Sequence, residues 1–156
     1  MPVELALYQP DIAQNTGTLL RLGACFGVAV HIIHPTGFAF SQRELKRGGL
    51  DYLELAEIIE HDSYVHFDSA RRAAGKRLVL LTTKASESAY EARYSDRDVL
   101  MLGRESAGVP ADVAANADLR VRIPMLPERR SLNVAVAASL VLGEALRQTG
   151  RFEELT

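Results

Sequence analysis

The chain has 156 residues, of which 47% are hydrophobic and 24% are charged, and its formal net charge is −2 at pH 7. This length and composition fit one folded domain with a real core and exclude a low-complexity chain. The slight negative charge excludes a general electrostatic attraction to nucleic acid, so any such binding must use local basic patches.

The N-terminal third predicts a βαβ unit. Residues 3–8 alternate as a strand does, and a helix is expected from about 15 to 26, ended by Gly27. A second strand over 28–33 is stopped by the pair His34–Pro35. Such a unit implies a parallel strand pair with a right-handed crossover.

The middle of the chain is less regular. The segment 36–51 has no clear element, and residues 53–59 are ambiguous between strand and helix. A helix is expected over 63–75, and two continuous apolar strands, 77–82 and 98–102, are typical of a buried parallel sheet. We expect the basic side chains around this helix to form a solvated face; they are Arg71, Arg72, Lys76 and Arg77.

The C-terminal third predicts a short helix near 111–115, a strand over 119–124 and a helix over 132–148 that is apolar on almost every side. In a chain this short, such a helix suggests that a second subunit covers one face, although a central core helix of a monomer is the alternative. The chain is therefore expected to form one parallel α/β domain over 1–150, with a loose tail over 151–156.

The single cysteine, Cys25, excludes an internal disulfide and fits a reducing compartment. The N-terminal stretch lacks the features of a signal peptide, and no apolar run is long enough to cross a bilayer. We therefore predict a cytoplasmic protein without a membrane partner.

Three polar or glycine-bounded segments follow predicted strands, at 82–84, 103–108 and 123–133. Ligands bind at the carboxyl edge of open parallel sheets, so these segments form a candidate site. Glu105 strengthens this interpretation, because a carboxylate placed directly after an apolar strand needs a partner if it is buried. The alternative is that Gly103 and Gly108 only turn the chain.

Several common site types do not fit the sequence. No glycine-rich dinucleotide motif follows the first strand, and neither a P-loop lysine motif nor a Gly-x-Ser-x-Gly elbow occurs. The four histidines show no zinc spacing with Cys25, so we predict no metal.

Two polar residues stand out beside the candidate site. Arg21 lies six residues after Asn15 on the first helix, where it is either a solvated side chain or an anion contact. Asn133 lies near the start of the apolar last helix, where it either caps the helix and links the core or contacts a ligand.

Three ordered motifs carry a resemblance to a known family. They are the segments 15–21, 102–110 and 123–133, which read NTGTLLR, LGRESAGVP and IPMLPERRSLN. These segments resemble the three motifs of the SPOUT-class RNA ribose 2′-O-methyltransferases. The match is closest to the small, single-domain tRNA (cytidine/uridine-2′-O)-methyltransferases of the TrmL or YibK type, which act on the wobble nucleotide, and it extends over nearly the whole chain.

The resemblance implies a SPOUT fold in which the C-terminal segment forms a trefoil knot, and it implies a homodimer. It also implies S-adenosylmethionine as the methyl donor, held in the knot largely by backbone groups. By position, the cofactor-binding residues would be Leu81, Gly103, Ile123, Met125, Ser131 and Leu132.

The resemblance implies a catalytic set of Arg21, Glu105 and Asn133. An arginine is always protonated, so Arg21 would activate the ribose hydroxyl electrostatically or bind the adjacent phosphate. Glu105 would orient a motif arginine, and Asn133 would hold the motif loop or the substrate. The expected substrate is the anticodon stem-loop of tRNA, with phosphates bound by Arg43, Lys46, Arg47, Arg129 and Arg130.

The sequence departs from the family pattern at three positions. Arg104 stands where a proline is usual, Ala135 where a serine is common, and Gly143 where a tyrosine is often found. These departures leave open the methylation of another tRNA or rRNA ribose. They also leave open a non-catalytic module that binds the cofactor or RNA.

Overall fold

The computed structural model describes residues 2–43, 55–128 and 132–156. Within them, seven strands form one sheet: β1 (Glu4–Tyr8), β2 (Val30–Ile33), β3 (Ile58–His61), β4 (Arg77–Leu81), β5 (Glu87–Ser88), β6 (Asp98–Leu102) and β7 (Leu119–Arg122). Their order across the sheet is β3-β2-β1-β6-β4-β7-β5, and every pairing between neighbours is parallel. The parallel α/β fold predicted from the sequence is confirmed.

The described helices are α1 (Ala13–Phe26), α2 (Tyr64–Ala73), α3 (Ala111–Asn116) and α4 (Val134–Gln148), followed by a 3-10 helix at Arg151–Glu154. Gly27 ends α1 in the left-handed conformation with φ 65°, as the sequence predicts. None of the helices formed by the described residues is long and apolar enough to cross a membrane.

The central strands β1 and β6 are buried at every position, which explains why they are almost continuously apolar. One face of the sheet packs against α1 and α4, whose buried residues include Leu19, Leu20 and Leu142. The other face packs against α2 and α3 through Phe67 and Val113. The sheet is thus covered on both sides.

The prediction of a solvated basic face is wrong for Arg71 and Arg77. Arg71 is buried and donates hydrogen bonds to Asp68 and Asp118, while Arg77 donates to the fully buried Asp98. A buried carboxylate requires a partner, and these arginines supply it.

The C-terminal tail is also more ordered than predicted. Its 3-10 helix is joined to α1, because Arg151 donates to the carbonyl oxygen of Phe26 at 3.1 Å and the rings of Phe26 and Phe152 lie 5.8 Å apart, centroid to centroid. The last helix begins two residues later than predicted, at Val134 rather than 132. The expected element over 53–59 lies partly outside the described residues, and its described end belongs to β3.

Candidate functional site

The carboxyl ends of β6, β4 and β7 lie side by side, because these strands are neighbours and run parallel. Leu81, at the end of β4, pairs in register with Leu102 on one side and Val121 on the other. The predicted cofactor-binding positions Leu81, Gly103 and Ile123 therefore share one edge of the sheet and are half-buried there. Such an edge is where ligands bind in parallel α/β proteins.

The other predicted cofactor-binding residues lie in the segment that leads from this edge to α4. Met125 is half-buried and Leu132 is exposed at the approach to α4, while Ser131 lies outside the described residues. The partly exposed apolar side chains at the edge suit an organic ligand. Among the described residues, no cluster of histidine, cysteine and carboxylate side chains could hold a metal ion.

The loop that follows β6 is a tight hairpin. Arg104 and Gly108 exchange two backbone hydrogen bonds, of 3.0 and 2.8 Å. A Cβ atom on Gly103 would lie 2.8 Å from the backbone of Gly108, so the hairpin excludes a side chain there. The glycines do turn the chain, and in doing so they fix the position of Glu105 between them.

Arg104 replaces the proline that is usual in the resembling family, and the structure gives it contacts of its own. Its guanidinium carbon lies 5.5 Å from the centre of the Tyr8 ring, a cation–π geometry. Its Nε donates to the Gly108 carbonyl oxygen at 3.0 Å. Arg104 therefore fits in place of the proline, and its side chain adds a hydrogen bond across the hairpin.

Glu105 is joined to Asp11 in the loop between β1 and α1. The backbone N–H of Asp11 donates to Glu105 Oε2 at 3.0 Å, and the backbone N–H of Glu105 donates to Asp11 Oδ1 at 3.1 Å. The hydroxyl of Ser106 donates to Asp11 Oδ2. The two carboxylates are thus held together by each other's backbone.

A chain of amide side chains continues from Glu105 to the last helix. Asn15 Nδ2 lies 3.5 Å from Glu105 Oε1, at the long limit of a hydrogen bond. Asn133 Nδ2 donates to Asn15 Oδ1 at 3.1 Å. Residues from all three sequence motifs therefore meet at one place.

Asn133 was expected near the start of the helix, and the structure makes it the N-cap of α4. Its Oδ1 accepts from the backbone N–H groups of Ala135, at 2.8 Å, and Val136, at 3.3 Å. A capping oxygen satisfies backbone donors that have no partner in the helix. The sequence left open whether Asn133 caps the helix or contacts a ligand. The structure shows that it caps the helix, while its amide nitrogen donates to Asn15.

The paired carboxyl groups have opposite pKa shifts. Burial and the hydrogen bond to the Asp11 side chain raise the pKa of Glu105 above its ordinary value. The hydrogen bond to Glu105, together with the one from Ser106, lowers the pKa of Asp11. A proton taken up by the pair therefore resides on Glu105.

The cationic residues predicted for the site are only partly within the described chain. Arg21 is exposed on α1 and Arg43 is exposed in the segment after Ser41. Lys46, Arg47, Arg129 and Arg130 lie outside the described residues.

Two of the residues hydrogen-bonded around Glu105, Asp11 and Asn15, were not singled out from the sequence. Asp11 follows Pro10, directly after the end of β1, and Asn15 was noted only as part of a motif. The signal for Asp11 was its place at a strand end, the same signal that identified Glu105. Its partner lies 94 positions away, so no local pattern could have paired them.

Comparison with known proteins identifies relatives over almost the full length. Residues 2–143 match the family described as the SpoU rRNA Methylase family. A tRNA (cytidine(34)-2′-O)-methyltransferase of Beijerinckia indica is 56% identical over 94% of this chain and 91% of its own length. The enzyme of the same name from Escherichia coli K12 is 42% identical over 95% and 94%.

Two solved structures have similar folds. One, described as "Structural insights into the 2-OH methylation of C/U34 on tRNA", superposes with a TM-score of 0.85 at 41% identity, covering 94% of this chain and 95% of that one. The AdoMet-bound rRNA methyltransferase from Sinorhizobium meliloti superposes with a TM-score of 0.82 at 29% identity, covering 94% of this chain and 56% of that one.

Proposed function

Because this chain belongs to the SpoU rRNA methylase family, we propose that it methylates the ribose 2′-hydroxyl of the wobble nucleotide of tRNA, a cytidine or a modified uridine. It is an RNA methyltransferase, and two relatives that match it over more than nine-tenths of both chains are named for this reaction. The observation that carries the proposal is the meeting of Asn15, Glu105 and Asn133, from three distant segments, beside the cofactor edge of the sheet.

The methyl donor in this proposal is S-adenosylmethionine, which supplies an electrophilic methyl group on a sulfonium. The half-buried strand ends at Leu81, Gly103 and Ile123 would hold it, together with Met125, Ser131 and Leu132. A half-buried, partly apolar edge fits an adenosine group that carries no phosphate. A related rRNA methyltransferase of similar fold is described as AdoMet-bound, which supports the assignment.

The residues of the chain would align and activate the ribose hydroxyl. Arg21 carries a guanidinium group, a cation with several hydrogen-bond donors, so it would stabilise negative charge on the attacking oxygen or hold the adjacent phosphate. Glu105, whose pKa is raised by burial and by Asp11, is the carboxyl group of the site that would accept the proton. Asn133 would hold the start of α4 against Asn15 and so keep the site closed.

The proposed assembly is a homodimer in which α4 contributes to the interface. Val136 and Leu140 are 49% and 41% exposed, one turn apart on α4. A Cβ atom on Gly143, on the next turn of the same face, would meet no atom within 4 Å. An exposed apolar face with room for close approach suits a second copy of the chain. We also propose the C-terminal trefoil knot of this class of methyltransferase.

The RNA partner in this proposal is the anticodon stem-loop, and the protein acts in the cytoplasm. Its phosphates would be bound by the basic residues Arg43, Lys46, Arg47, Arg129 and Arg130. The whole chain carries a net charge of −2, so these basic residues would have to supply the attraction. Binding should therefore weaken as salt concentration rises.

The test is transfer of labelled methyl groups from S-adenosylmethionine to tRNA that lacks wobble 2′-O-methylation, followed by digestion and mapping. Label on the wobble ribose is the expected result. Label on another tRNA or rRNA ribose would show that the enzyme has a different target. Cofactor binding without label on any RNA would show that the protein is a binding module and not an enzyme. Either of the last two results would overturn the proposal.

A further inference from the structure

Asp11, in the loop between β1 and α1, makes several hydrogen bonds with the loop after β6. Its backbone N–H and both of its carboxylate oxygens are engaged by Glu105 and Ser106. Two reciprocal hydrogen bonds between a pair of residues fix both the distance and the orientation of their backbones. Asp11 therefore ties the loop after β1 to the loop after β6.

The segment after β2 also packs against Asp11. Gly37 donates its backbone N–H to the carbonyl oxygen of Pro10 at 2.9 Å. A Cβ atom on Gly37 would lie 2.6 Å from Cβ and 2.9 Å from Cα of Asp11. This contact is so close that any side chain at position 37 would displace Asp11. Asp11 is thus fixed by the segment after β2 as well as by Glu105.

The position of Asp11 affects the proposed catalytic residues because Asp11 is hydrogen-bonded to Glu105. One carboxylate oxygen of Glu105 accepts from the Asp11 backbone, which leaves the other directed to Asn15. Asn15 in turn accepts from Asn133 at the start of α4. If Asp11 moves, the orientation of Glu105 is lost and the contact with Asn15 is lost with it.

We propose that Asp11 is a positioning residue for the methyl-transfer reaction, which holds the Glu105 carboxylate in the orientation that the site requires. This inference rests on the proposed function, and it adds a residue to which that function gives no role. Asp11 acts through Glu105 and need not touch the substrate. The electrostatics agree, because burial and, after it, the neighbouring Asp11 side chain raise the pKa of the Glu105 carboxyl group.

The first test is a double-mutant cycle with Asp11→Asn and Glu105→Gln, measured as kcat and as the KM for tRNA. The asparagine keeps the shape of the side chain and the backbone N–H that donates to Glu105, but it loses the negative charge and one of the two acceptor oxygens that hold Glu105 and Ser106. We expect kcat to fall about tenfold or more, as loss of a charged hydrogen bond predicts, with the KM for tRNA and the affinity for the cofactor unchanged. In the Glu105→Gln background, Asp11→Asn should cost nothing further.

The second test does not depend on turnover. With glutamate carboxyl carbons labelled for NMR, the titration of Glu105 in the free protein should move to lower pH in Asp11→Asn. The matched control is Asp96→Asn, which changes an exposed aspartate in the loop before β6 and should leave both kcat and the Glu105 titration unchanged.

The outcomes distinguish a failure of the proposed function from a failure of the role assigned to Asp11. If wild type transfers no methyl group to tRNA, the proposed function fails, while the NMR titration still reports on the Asp11–Glu105 pair. If wild type is active but the two substitutions act additively, or the Glu105 titration does not move, Asp11 does not position Glu105 and the inference is wrong.

Discussion

The side-chain amide of Asn133 donates a hydrogen bond to the side-chain oxygen of Asn15, at 3.1 Å, across 118 positions of the chain. The same side chain caps α4 through its oxygen. One residue therefore sets both the start of the last helix and its attachment to α1.

Replacing Asn133 by alanine should therefore lower both stability and activity. Loss of an N-cap costs about 1 kcal/mol of unfolding free energy. Methyl transfer should fall further than this cost explains, because Asn15 and Glu105 lose their anchor. Thermal unfolding and kcat on the same samples check the prediction.

The matched control is Ser63→Ala, which removes the N-cap of α2, where the serine oxygen accepts from the backbone N–H of His66 at 3.2 Å. It should lose similar stability and keep full activity. Equal activity losses in the two variants would reduce the role of Asn133 to helix capping.

Arg21 should be needed for the chemical step but not for cofactor binding. Removing a donor that stabilises developing negative charge costs about 100-fold to 1,000-fold in kcat. We expect Arg21→Ala to show a loss on this scale, with the dissociation constant of S-adenosylmethionine unchanged by calorimetry. Arg93→Ala, at an exposed position before β6, is the control for loss of a positive charge. Full activity in Arg21→Ala would remove its assigned role.

The exposed face of α4 should hold the dimer together. Leu140→Asp places a charge in the proposed interface, so sedimentation should show monomers where wild type shows dimers. Val65→Asp is the control, since Val65 is a 69% exposed valine on α2, away from this face. A monomeric wild type, or a Leu140→Asp variant that remains dimeric, would contradict the proposed interface.

A histidine pair on the other half of the sheet should make stability depend on pH. His31 Nδ1 lies 2.8 Å from His61 Nε2, and His31 Nε2 lies 2.9 Å from Glu4 Oε1. Burial, followed by the nearby His31 and His66, lowers the pKa of His61 below its ordinary 6.5. The folded state therefore binds this proton less readily than the unfolded state does.

The sign of the effect follows from that shift. The contribution of neutral His61 to stability is complete above pH 6.5 and is lost as the pH falls from there through the lower pKa of the folded state. The melting temperature should thus drop between pH 7.5 and 5.5, and less so in His61→Gln. His66→Gln, at an exposed position, should retain most of the wild-type drop, because His66 is the smallest of the three causes that lower the pKa of His61. An identical pH dependence in His61→Gln and wild type would show that His61 is not the source.

The buried centre of the fold was predictable from the sequence. Strand β6 was predicted at the bounds that the structure shows, 98–102, because a short continuous apolar run between polar segments is typical of a buried parallel strand. Strand and helix ends were less certain. The start of α4 was placed two residues early because the apolar pattern already includes Leu132, and only the hydrogen bonds of Asn133 show that it is the cap.

The polar contacts were not predictable in the same way. The sequence indicated that Glu105 would need a partner, but it could not identify Asp11, which is 94 positions distant. Arg71 and Arg77 were expected in solvent because their partners Asp118 and Asp98 lie 47 and 21 positions away. The local pattern contains the pair Asp68 and Arg71, but it contains no information about the distant partners, which the fold brings together.

The most direct test of the central claim compares two tRNAs that differ by one oxygen atom. One carries an ordinary ribose at the wobble position and the other a 2′-deoxyribose there, with all other nucleotides identical. Incubated with the protein and labelled S-adenosylmethionine, the first should accept about one methyl group per molecule and the second none. Equal labelling of both tRNAs would show that the wobble 2′-hydroxyl is not the acceptor and would contradict the proposed function.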